Sequence, residues 1–165
     1  MDEMRYRAGD CFAAGQGVDV DRVLLKGVGA EADYVDLPPG TLGRTAFGSD
    51  GHVRIEVSRT LAEQAASDRV ARRRLRTTLA HECGHVACHT CLFIQDTETL
   101  SLFPREESQT ATARQPIMCR ADGVGNLGYR GEWWEYQANR CMSALLMPKR
   151  MVSDTVRKKF KDGGF

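Results

Sequence analysis

The stretch from about Asp68 to Thr90 constrains the chain more than any other. Leu75, Leu79, Glu82, Val86 and His89 follow one another at spacings of three and four, the repeat of one face of an α-helix. An element of that length must cross most of a small domain, so the rest of the chain has to pack around it. With 165 residues and 42% hydrophobic content, there is material for a single core. The expected organisation is one domain over residues 1–165, with 1–30 and 150–165 at its periphery. A second helix is expected from about Gly131 or Glu132 to Leu146, closed by Pro148.

The remaining segments are shorter. Val20 to Val28 reads as a short helix after Asp19, broken by Gly27 and Gly29. Tyr34 to Leu37 runs into the turn signal Pro38-Pro39-Gly40. Thr45 to Phe47 and His52 to Ser58 flank Gly48-Ser49-Asp50-Gly51, and Val53, Ile55 and Val57 alternate with Arg54, Glu56 and Ser58. That period of two predicts a half-buried strand in a hairpin. Residues 104–130 are rich in Pro, Gly, Ser, Thr and Gln and read as a long irregular excursion. The basic tail after Met151 reads as a solvated helix end or frayed tail.

The long helix carries the run HECGH. His81 and His85 are four residues apart, so both imidazoles leave one face, about 6 Å apart along the axis. One Zn²⁺ can take a nitrogen from each. Glu82 lies one residue on and can take a proton from a water that the metal has acidified, then return it to a leaving amine. A chance HExxH is rare, and this one sits in a strong helical pattern. A catalytic zinc needs a third protein ligand. Glu135, in GEWWEYQANRCMSALLMP, is the first choice, because it shares a helix face with Ala138, Asn139, Met142, Leu145 and Leu146. Glu132, one turn earlier, competes with it. Either could instead be a helix-start glutamate favoured by the macrodipole. Two His and one carboxylate favour zinc over other divalent ions.

Two segments, LRTTLAHECGHVACH at Leu75 to His89 and WWEYQANRCMSALLMP at Trp133 to Pro148, resemble the ImmA/IrrE family of metallopeptidases. The resemblance implies zinc ligands His81, His85 and Glu135 and a catalytic Glu82. It also implies an α+β fold, a compact, mostly helical zincin-like body with a small sheet flanking the metal helix. The implied activity is an intracellular endopeptidase acting on a protein substrate, often a transcriptional repressor. No helix-turn-helix or sensor domain is recognisable in this chain.

Other residues allow narrower readings. Cys88, Cys91 and Cys119 could bind a second, structural zinc, but only one CxxC pair is present and small buried thiols are the commoner case. Cys119 could alternatively reach the catalytic metal and silence it. His89 lies one more turn along the ligand face, too far for the same ion, and is assigned to the ligands' surroundings or to solvent. Asn139 is a candidate to support a ligand. Oxyanion donors are sought among His52, Tyr129, Arg130, Tyr136 and Arg140, with Tyr129 preferred. Of Trp133 and Trp134, one is expected beneath the metal helix and the other at the cleft. Strand His52 to Ser58 is a candidate edge for binding an extended peptide.

Charge excludes some classes. Lys+Arg 23 against Asp+Glu 22 leaves a net charge of +1, which gives no argument for nucleic acid or membrane surfaces. Arg72, Arg73, Arg74 and Arg76 lack interleaved aromatics and read as a solvated helix face. MDEMRYRAGD lacks the apolar core of a signal peptide, no apolar run suits a membrane helix, and a cytoplasmic location is expected. The six cysteines are then reduced thiols or metal ligands. The rival reading is a non-proteolytic regulatory or binding module that keeps zinc for structure or sensing.

Overall fold

A computed structural model describes residues 17–48, 52–93, 133–163 and, for the backbone alone, 117–120. The chain is α+β. Helix α1 starts at Asp19, whose side chain accepts from the Arg22 amide at 3.1 Å. It runs as Val20–Arg22 and widens into a π-helical turn, Val23–Val28. Gly27 stays inside the helix. Gly29, at φ 74°, ends it in the left-handed region that glycine tolerates. Val18, Val20, Val23 and Leu24 enter the core, so this part of the expected periphery is structural.

Four strands follow: β1 (Ala32–Val35), β2 (Thr41–Phe47), β3 (Val53–Ser58) and β4 (Ile117–Arg120), in the spatial order β1-β3-β2-β4. The expected hairpin is β2–β3, antiparallel, with Thr45 opposite Ile55 and Gly43 opposite Val57. Two strands were not anticipated. β1 pairs in parallel with β3, and β4 lies inside the stretch read as irregular, antiparallel to β2. Both hydrogen-bonding sides of β3 are therefore occupied, and β3 is not a free edge for a peptide. Along β2, Thr41, Gly43, Thr45 and Phe47 face inward in strict alternation.

Helix α2 (Arg59–Ser67) was also not anticipated. It starts on Ser58, whose hydroxyl accepts from the Leu61 amide at 3.3 Å. Asp68 then ends α2 and begins α3 (Arg69–Phe93), accepting from the amides of Val70 at 3.1 Å and Ala71 at 2.9 Å. At 25 residues α3 is about 37 Å long. Two of its arginines are tied to neighbouring backbone, Arg72 to Ala65 and Ala66, Arg76 to Val18.

Helix α4 (Trp133–Leu146) packs on α3. Pro148 ends α4 but does not end helical structure. It opens α5 (Lys149–Lys161), an exposed basic helix where a solvated end or frayed tail was expected. The core lies where Ile55 and Val57 of the sheet meet Leu79, Ala80, Cys83 and Val86 of α3, with Leu145 from α4. Leu61, Ala65 and Ala71 form a second cluster under α2. Among the described residues, no helix is long and apolar enough to cross a membrane.

Two glycines set the layer spacing. A Cβ on Gly43 of β2 would lie 2.8 Å from Glu82 Oε1 and 2.8 Å from Thr78 Cγ2. A Cβ on Gly84 of α3 would lie 2.8 Å from the Ala138 carbonyl oxygen. The turn of α3 between these contacts is thus held by the sheet on one side and α4 on the other.

Candidate metal centre

The ligand-bearing turn of α3 is buried: His81, Glu82, His85 and His89 are all shielded from solvent. Burying four ionisable groups together is costly unless they are paired or hold an ion. The pairing comes from α4. Glu135 Oε2 lies 3.1 Å from His81 Nε2, and Glu135 Oε1 lies 3.4 Å from His85 Nε2. The two Nε2 atoms are 2.9 Å apart. Among the described residues, His81, His85 and Glu135 are the one group of His, Cys, Asp and Glu side chains able to hold a metal ion.

These separations test the fit of an ion. Ligands at about 2.0–2.1 Å from a tetrahedral ion are about 3.3–3.4 Å from each other. The two imidazole nitrogens are 2.9 Å apart, and each meets a different Glu135 oxygen at 3.1 and 3.4 Å, separations near that edge length. Two imidazole nitrogens and a carboxylate converging at that distance repel unless protons or a cation lie between them. The residues fit a metal ion held by three protein ligands.

The acid–base balance follows from the same geometry. Burial works to raise Glu135, but hydrogen bonds to His81 and His85 prevail and hold its carboxyl at about 2. For His81, burial favours the neutral ring, but the Glu135 hydrogen bond and the charges of Glu82 and Glu135 prevail and raise it. For His85 burial prevails and lowers it.

Glu82 points towards the sheet. Thr45 Oγ1 of β2 donates to its Oε2 at 2.6 Å, and both groups are fully buried. Burial is the largest influence on Glu82 and pushes it up to about 7, although the charge on His81 and the Thr45 hydrogen bond both pull it down. Its other oxygen, Oε1, and the Thr78 hydroxyl are buried and have no hydrogen-bond partner among the described residues.

Each ligand imidazole is also held from behind. His81 Nδ1 lies 3.2 Å from Asn139 Oδ1. His85 Nδ1 lies 3.1 Å from His89 Nδ1, and His89 Nε2 lies 3.1 Å from Gln137 Oε1. The Trp133 ring stands edge-on to His89 at 5.7 Å, and Trp134 stands against Trp133 at the same distance. Trp133 thus covers the back of the site, while neither tryptophan is fully buried.

The other candidates fall elsewhere. His89 is buried, so its solvent-exposed alternative is ruled out. Tyr136 and Arg140 are exposed, Arg140 Nη1 donating to the Tyr136 hydroxyl at 2.9 Å. His52 is exposed at the turn end of β3. Tyr129, Arg130 and Glu132 lie outside the described residues, as does the Cys119 side chain; the Cys119 backbone pairs with Gly43. Both roles suggested for Cys119 therefore fall outside the described residues. Cys88 is half-buried and Cys91 exposed. A hydrogen bond from Cys141 lowers Cys88, and burial raises Cys83 to about 12.

Sequence reasoning missed Thr45, Gly43, Thr78 and Gln137. The one available signal was polarity at inward positions of β2, where Thr45 occupies a site that the alternation would otherwise give to an apolar side chain. Comparison with known protein families, with curated proteins and with solved structures finds no match to the chain.

Proposed function

We propose that this chain is a zinc-dependent endopeptidase of the ImmA/IrrE type. The observation that carries the reading is the triangle of His81, His85 and Glu135 beside a fully buried Glu82. A zinc ion there would supply Lewis-acid polarisation of a peptide carbonyl and would acidify a water molecule. The chain's own residues do the rest. His81, His85 and Glu135 hold the ion's position. Glu82 accepts a proton from the attacking water and delivers it to the departing amine. Thr45 holds one Glu82 oxygen, and the other has no hydrogen-bond partner among the described residues.

The sheet offers a place for the substrate. β4 is the outer strand beside β2 among the described residues, and β2 carries the Thr45 that holds Glu82. An extended peptide added to β4 would continue the sheet beyond β2, the strand that carries Thr45. This favours an unfolded segment or loop of a protein as substrate, with a repressor-type regulator as the first candidate.

The test combines metal analysis with proteolysis. Native protein should bind close to one zinc per chain and cleave a denatured protein mixture, while Glu82→Gln should keep zinc and lose cleavage. Full zinc occupancy without cleavage by native protein would favour the binding module instead. Absence of zinc binding would remove both.

A further inference from the structure

The hydrogen-bond partners of His85 bear on a residue that the proposed reaction does not use. Two imidazole nitrogens at 3.1 Å, as His85 Nδ1 and His89 Nδ1 are, need one hydrogen and one lone pair between them. His85 Nε2 points into the triangle with His81 and Glu135, where a ligand must present a lone pair. Its hydrogen is then on Nδ1, and His89 Nδ1 is the acceptor. A neutral His89 carries its own hydrogen on Nε2, where Gln137 Oε1 accepts at 3.1 Å. A single set of tautomers satisfies all three side chains.

We infer that His89 and Gln137 form a positioning relay that fixes the tautomer and ring orientation of His85, as Asn139 does for His81. The inference rests on the metal-site reading above. The two histidines thus have unlike supports: His81 is backed by one amide from α4, and His85 by a buried imidazole from its own helix and then an amide from α4. His89 is thereby excluded as a further ligand, because its Nδ1 is committed to His85. Trp133 packs edge-on against the His89 ring and limits its rotation. Partners of this kind commonly change metal affinity by about 10–100-fold when removed.

The probe is zinc itself. Chelator competition should show His89→Leu binding zinc about 10–100-fold more weakly than native protein. His89→Asn, whose side-chain oxygen can accept as Asn139 does, should recover most of the loss. Gln137→Leu, at an exposed position, should weaken binding in the same direction and tests the relay even where His89→Leu fails to fold. Long-range ¹H–¹⁵N spectra of zinc-loaded native protein should show His89 neutral with its hydrogen on Nε2. A His89 hydrogen on Nδ1, or unchanged zinc affinity in a folded His89→Leu, would overturn the relay while leaving the metal site intact. Failure of native protein to bind zinc would overturn the function reading and the relay together.

Discussion

The bond between Thr45 and Glu82 joins the sheet to helix α3 at the group proposed as general base. Thr45→Val keeps the shape and removes the donor, leaving both Glu82 oxygens buried with no hydrogen-bond partner among the described residues. It should cost about 1–3 kcal/mol of stability, whereas Thr45→Ser should cost less, as urea unfolding of the two variants can show. The raised Glu82 carboxyl predicts a pH effect whose sign is fixed. Its folded value of about 7 exceeds the ordinary 4.5, so folding takes up a proton here. That stabilisation is complete below pH 4.5 and is lost as pH rises to about 7. Glu135, held at about 2, behaves oppositely: its contribution is present above pH 4.5 and is lost as pH falls. Glu82→Gln cannot titrate. Metal-free native protein should therefore lose about 3 kcal/mol relative to Glu82→Gln between pH 4.5 and 7. A difference that stays flat with pH would show the carboxyl to be solvated. At this scale the grouping of His81, His85 and Glu135 was legible because few arrangements of such residues are accidental. Thr45 was marked only by its polarity at an inward position of an alternating strand, which does not identify Glu82 as its partner.

The contact between α3 and α4 sets the distance from Glu135 to the histidines, and Gly84 sets that contact. An alanine at 84 would press on backbone, the carbonyl oxygen and Cα of Ala138, which cannot swing aside as a side chain can. Gly84→Ala should cost about 1–3 kcal/mol. By moving Glu135 away from the imidazoles, it should also weaken zinc binding more than its loss of stability alone explains. Calorimetric titration beside thermal unfolding separates the two effects. Both helices were readable from their own periodicity and stops. The elements that were not readable owe their form to neighbours. β1 and β4 are four residues each and exist as strands because β3 and β2 pair with them. Helix α2 depends on caps at Ser58 and Asp68, and α5 follows a proline that reads as a stop but occupies an N-terminal helix position.

For the whole molecule, the centre draws on three separated segments: β2 at Thr45, α3 from His81 to His89, and α4 from Trp133 to Asn139. The unfolded chain does not hold these groups together, so the proposed zinc binding would add to folding stability. Zinc at about 100 times its dissociation constant should add about 2.7 kcal/mol, seen as a higher melting temperature that chelation reverses. Glu135→Ala should abolish the shift, and an equal shift in that variant would show the zinc to be bound elsewhere. The α+β class and the pairing of the two helices were legible in advance. The sheet order was not, because strand pairing joins segments with no mark of each other in their sequences. Gly43 and Gly84 carry a consequence for how such a chain can change by point mutation. The most constrained positions near the centre include two residues with no side chain, neither a candidate for any chemical role. A saturation scan scored on zinc retention should find Gly43 and Gly84 as intolerant as the ligands, since the volume they leave vacant is already filled by Glu82, Thr78 and the backbone of Ala138.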